Sequence, residues 1–203
     1  MRIKEEFNHE LIIDKSRFIC YLKKVDNIDD AKEYIDQIKK LHRDSTHCCS
    51  AIVCGDNYEI ERCSDDGEPS GTAGLPMLTA LKKIGIKDCV AVVVRYFGGI
   101  KLGGGGLIRA YGRSVSESVS LASKVRLVKL KEYRLVFAYN LIGKLEYELQ
   151  KICLIVNKNY EELVEYIVHS SDDDFTDKVI DLTNGDISIE YINEVESFED
   201  VIN

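Results

Sequence analysis

The segment from Asp88 to Tyr111, DCVAVVVRYFGGIKLGGGGLIRAY, constrains the fold more than any other part of the chain. An apolar run ends in Arg95 and hands over to a glycine-rich stretch and then to residues at helical spacing, which reads as strand, loop and helix start. In the helix, expected over 107–121, Leu107, Tyr111, Val115 and Val119 share one stripe, with Ala110 and Ala122 beside it. Arg109, Arg113, Glu117 and Ser120 occupy another stripe, so the arginines face away from the core. Cations near a helix N-terminus oppose its dipole by about 0.3–1 kcal/mol each. An anion is therefore expected there, either a phosphate of a ligand or nucleic acid or one of the chain's own carboxylates.

The elements before and after this segment suggest two domains, 1–125 and 126–203, of α+β class. In the first, residues 16–25 read as a strand and 29–41 as a helix capped by Asp29. Residues 47–54 and 58–63 form a hairpin through Gly55, Asp56 and Asn57, and a helix from about Thr72 stops at Gly85. From Arg126 the pattern restarts as strand 128–138, helix 141–152, strands 154–160 and 163–169, helix 172–183 and strand 187–192. This β-α-β-β-α-β order is that of a ferredoxin-like unit. Asp172, Asp173 and Asp174 fit a cap and first turn rather than a metal site. The acidic tail after Glu194 is expected to be loose.

Charge separates the two halves. Residues 1–125 hold 19 Lys+Arg against 18 Asp+Glu, whereas 126–203 hold 8 against 17, a net of −9. Residues 89–116 carry Arg95, Lys101, Arg109 and Arg113 and no acid. The two ends should choose different partners. No apolar run is long enough for a membrane span and the N-terminus lacks signal-peptide character, so a cytoplasmic protein is expected. The seven cysteines read as reduced core thiols without disulfides. His42, His47, Cys48 and Cys49 do not make a metal set, because neighbouring residues on a strand point to opposite faces. No metal or cofactor is expected.

The loop Phe97, Gly98, Gly99, Ile100, Lys101, Leu102, Gly103, Gly104, Gly105, Gly106 is neither a Walker A nor a GxGxxG motif. Its free N–H groups before a helix could bind an oxyanion, although several glycines could equally serve tight packing. The acidic segment with Asp65, Asp66 and Glu68 is its counterpart. Those carboxylates could cap a helix, pair with Arg95, Lys101 or Arg109, or act as acid/base or metal ligands. Tyr96 and Phe97 could stack on bases or fill the gap between sheet and helix.

Two segments closely resemble the signature of the IMPACT family. They are Asp65-Asp66-Gly67-Glu68-Pro69-Ser70-Gly71-Thr72-Ala73-Gly74 with Pro76-Met77-Leu78, and Val94-Arg95-Tyr96-Phe97-Gly98-Gly99-Ile100-Lys101-Leu102-Gly103. Thr46-His47-Cys49 and Asp14-Lys15-Ser16-Arg17-Phe18 match its earlier motifs, and Ser45-Thr46 stands where the family often has Ala-Thr. The chain as a whole resembles the family's bacterial YigZ type. The resemblance implies a first domain of ribosomal-protein-like β-α-β fold and a second, ferredoxin-like domain similar to the last domain of elongation factor G. It further implies translational control, which eukaryotic relatives exert by protein contact that restrains a starvation-sensing kinase. It supplies no catalytic residues.

The expected function is that of a translation-associated regulator. It would bind RNA or a ribosomal surface through Arg95, Lys101, Arg109, Arg113 and the adjoining Gly98, Gly99 and Gly103–Gly106 backbone. Two alternatives stay open. One is an enzyme on a small phosphorylated metabolite with Asp65 or Asp66 as general base; the other is a module that binds a regulatory protein partner. The oligomeric state is open.

Overall fold

A computed structural model describes residues 1–201 and divides the chain into two compact units. The first comprises Met1–Arg126 with Asp200 and Val201; the second is Leu127–Glu199.

The apolar run becomes strand β6 (Cys89–Tyr96), central in a five-stranded sheet. Its neighbours are β3 (Ser16–Lys24) and β4 (His47–Cys54), and β2 (Phe7–Ile13) and β5 (Ile60–Ser64) form the edges. All four pairings are antiparallel. Helices cover both faces, which explains why β6 has no polar alternation before Arg95. Ala91 and Val93 face α2 (Gly74–Ile84) and α3 (Gly103–Leu121), together with Phe18, Cys20 and Cys49. Val90, Val92 and Val94 face α1 (Ile28–Leu41), together with Cys48. Cys48 and Cys49 thus lie on opposite faces, and all seven cysteines are free thiols.

Several boundaries differ from the sequence reading. Asn27, not Asp29, caps α1, because its side-chain oxygen accepts from the Asp29 and Asp30 amides at 2.8 and 3.0 Å. α3 begins at Gly103, so the glycines form its first turn and Arg109 lies in its second. Its other end is closed by Lys124, a buried lysine whose Nζ donates to the carbonyls of Val119, Ser120 and Ala122. β1 (Arg2–Ile3), which pairs with the first residues of β7 (Lys124–Phe137), and β2 have no counterpart in the expected elements.

In the second unit β7 is followed by α4 (Ile142–Ile152), β8 (Leu154–Tyr160), β9 (Val164–Ser170), α5 (Phe175–Thr183) and β10 (Ser188–Val201). β9 lies between β7 and β8, and β10 pairs with β7. Tyr133, Leu135, Phe137, Val164, Tyr166 and Val168 alternate onto one sheet face and pack under Leu145 and Leu149 of α4 and Phe175 and Val179 of α5. The segment after Glu194, expected to be loose, continues β10 to Val201. Among the described residues no helix is long and apolar enough to cross a membrane.

Candidate anion-binding site

Strand alternation places Arg95 on the face covered by α2 and α3, level with His47 on β4 and Phe18 on β3. There it is 5% exposed. A guanidinium this deep needs a counter-charge, and Glu68 supplies it from the acidic loop: Arg95 Nη1 donates to Glu68 Oε1 at 2.7 Å. The Tyr111 hydroxyl of α3 donates to the same oxygen at 2.8 Å, and His47 Nε2 lies 3.8 Å from Oε2. The Arg95 guanidinium carbon is 5.4 Å from the ring centres of both Phe18 and Phe97. Arg95 Nε is buried with no acceptor. Arg95 is therefore not among the exposed cations with which the sequence groups it; it lies inside, as a support beneath the loop.

The other two acids are also engaged. One Asp65 carboxylate oxygen accepts from the amides of Ala73 and Gly74 at 3.0 and 2.8 Å, and the other accepts from Gly71 at 2.8 Å. Burial alone would raise the Asp65 pKa, but these three amides outweigh it and hold the carboxyl below its ordinary value. Asp66 accepts from Lys39 Nζ and from the Cys48 amide, each at 2.8 Å, and it too is held low against the effect of burial. A carboxylate whose anionic form is this well solvated by fixed donors is a weak base, which removes the support for Asp65 or Asp66 in proton abstraction.

The α2 and α3 helix starts lie side by side. A Cβ at Gly104 would stand 4.0 Å from Thr72, and one at Gly112 would stand 3.9 Å from the Pro76 carbonyl oxygen, so the two helices run in the same sense. Asp65 therefore fills the N-terminus of α2. The N-terminus of α3 has no side-chain cap, and Gly103, Gly104 and Gly105 are exposed, with Gly106 half-buried. Lys101 precedes it, exposed, and Arg109 folds back over it, its Nη1 3.6 Å from where a Gly105 Cβ would be. Among the described residues neither cation has a carboxylate partner. Arg113 is exposed and bonded to Glu117 at 2.6 Å, a surface pair of the kind worth at most about 1 kcal/mol.

The aromatic pair separates. Tyr96 turns toward α1, its hydroxyl 2.8 Å from His42 Nδ1, while Phe97 is 47% exposed. The backbone beyond them is fastened by the other two motifs: the Phe97 amide donates to Thr46 Oγ1 at 3.0 Å and the Gly98 amide to Ser16 Oγ at 3.1 Å. Gly98 touches the turn before β3, where a Cβ would come within 2.1 Å of the Lys15 carbonyl, and Gly99 beyond it is exposed. Tyr111 is the participant that sequence reasoning assigned only to the core stripe. A readable sign existed, since a tyrosine on a buried helix face needs a partner for its hydroxyl.

The four motifs that meet here have counterparts in known proteins. A family model for the Impact N-terminal domain matches residues 14–119. The IMPACT family member YvyE of Bacillus subtilis is 47% identical over 187 residues, covering 90% of this chain and 86% of that protein. The IMPACT family member YigZ of Escherichia coli is 38% identical over 188 residues, covering 90% and 92%. A crystal structure of a hypothetical protein, 34% identical, covers 94% of this chain and 96% of its own with a TM-score of 0.58. The chain belongs to the IMPACT family.

Proposed function

We propose that this chain is a translation-associated protein that binds RNA, or the RNA of a ribosomal surface, at the start of α3. The reading is carried by the asymmetry of two neighbouring helix starts. Asp65 neutralises the first, whereas the second, flanked by Lys101 and Arg109, has amides and cations but no acid. A phosphate oxygen seated there would accept from the exposed glycine amides and balance both side chains. The link to translation comes from the family, whose resemblance implies translational control. Residues 126–203, with 8 Lys+Arg against 17 Asp+Glu, would repel nucleic acid and turn toward a protein partner or solvent.

The test is fluorescence anisotropy with a labelled single-stranded RNA over a series of salt concentrations. Two phosphate contacts give a slope of log affinity against log salt of about −1.4, and Arg109→Ala flattens it by about 0.7. Absence of binding at low salt, or a slope that Arg109→Ala leaves unchanged, defeats the reading.

A further inference from the structure

We propose that the ligand of this site is a single strand with unpaired bases, and that Phe97 is a prebuilt platform on which one base stacks; this rests on the RNA reading above. Tyr96 and Phe97 leave β6 as adjacent aromatics, but Tyr96 is half-buried, with Arg17 over its ring and His42 at its hydroxyl, whereas Phe97 is 47% exposed. Its position is fixed before any ligand arrives. The backbone is fastened on either side by Thr46 and Ser16, and Gly98 sits too close to Lys15 for the loop to slide inward. Beneath the ring lies Arg95, 5.4 Å away and itself tied to Glu68.

That cation matters to what the ring can hold. A phenyl ring resists face-to-face stacking because both π faces are electron-rich. A guanidinium on one face draws that density inward, leaving the other face better suited to an electron-rich base. Glu68 balances the Arg95 charge through Nη1, while Nε stays without an acceptor. Lys101 follows Phe97 by four residues and Arg109 by twelve, so a strand that lays one base on Phe97 would bring a phosphate along its backbone to the start of α3. A duplex hides its base faces and cannot do so.

The experiment compares wild type, Phe97→Ala, Phe97→Tyr and Arg109→Ala on three labelled probes: an oligoadenylate, a strand of equal length without bases, and a duplex. Thermal melts verify that each variant is folded. Wild type should prefer the oligoadenylate to the baseless strand by roughly 5- to 150-fold, the range for one stacked base. Phe97→Ala should abolish that preference without weakening the baseless strand, and Phe97→Tyr should retain it. Equal weakening of both strands by Phe97→Ala, or a duplex bound as tightly as the single strand, overturns the platform while an Arg109-dependent salt slope keeps the phosphate reading alive. Failure to bind any of the three probes, including the case in which only an acidic peptide binds, overturns both.

Discussion

Arg95 Nη1 and Glu68 Oε1 stand 2.7 Å apart, with side-chain exposures of 6% and 3%, so neither charge can be removed without stranding the other. Glu68→Ala should destabilise the protein by about 3–5 kcal/mol. The double variant Glu68→Ala with Arg95→Met should lose clearly less than the two single losses added together, because no unpaired charge remains. Urea unfolding of the four proteins in this cycle measures the coupling; strict additivity would mean that the pair does not act as a unit.

Adjacent glycines in the loop should respond differently. At Gly98 an added methyl would meet the Lys15 backbone at 2.1 Å, and neither backbone has room to yield. Gly99, at φ +86°, has open space around it and bears only conformational strain. Gly98→Ala should therefore lower the melting temperature strongly, by the equivalent of about 3 kcal/mol or more, and Gly99→Ala by about 1 kcal/mol. Calorimetry on the two variants decides, and similar losses would contradict the close approach.

Asp65 links acid stability to the start of α2. Its folded pKa lies below the unfolded value, so its contribution is complete above about pH 3.9 and is lost as pH falls through the lower folded value. Asp65→Ala should cost about 1–2 kcal/mol near neutrality. Asp65→Asn should unfold less steeply on acidification than wild type. Circular dichroism during acid titration gives the comparison, and parallel curves would mean that the carboxylate does not cap the helix.

His42 should make stability fall at mildly acidic pH. The Tyr96 hydroxyl donates to Asp44 at 3.4 Å, which leaves it to accept from His42 Nδ1–H and leaves Nε2 to accept from the Tyr21 hydroxyl at 2.7 Å. A second proton on the ring would oppose Tyr21. Burial lowers the His42 pKa, helped by Arg17 and resisted by Asp44, so the fold favours the neutral ring. Its contribution is present above about pH 6.5 and disappears as pH falls through the depressed folded value. Wild type should lose more melting temperature than His42→Gln between neutral and mildly acidic buffer; an equal loss refutes the assignment.

The parts of the fold legible in the sequence were those whose cause is local. The run Cys89–Val94 shows a strand covered on both sides, and Gly85 at φ +81° ends α2 as a glycine after a helix should. The start of α3 was not legible, because glycines are poor helix formers and the run Gly103–Gly106 carries no side chains to show a helical period. Asn27 and Asp29 are both good caps, and only the backbone decides between them. The partner of Arg95 depended on register: the sequence displays Asp65, Asp66 and Glu68 alike, and the turn gives the first to an amide cluster, the second to Lys39 and the third to the arginine. The exposure of Arg109 was legible for the opposite reason, since a helix face turned from its core has little choice of surroundings.

Lys124 has spent its donors on three carbonyls at the end of α3 and lies almost wholly out of solvent. Amine-directed reagents and acylating enzymes need a free lone pair and a path to it, and this ammonium offers neither while the last turn is wound. In a labelling time course it should be among the slowest amines to react, and its rate would then report how often that turn unwinds.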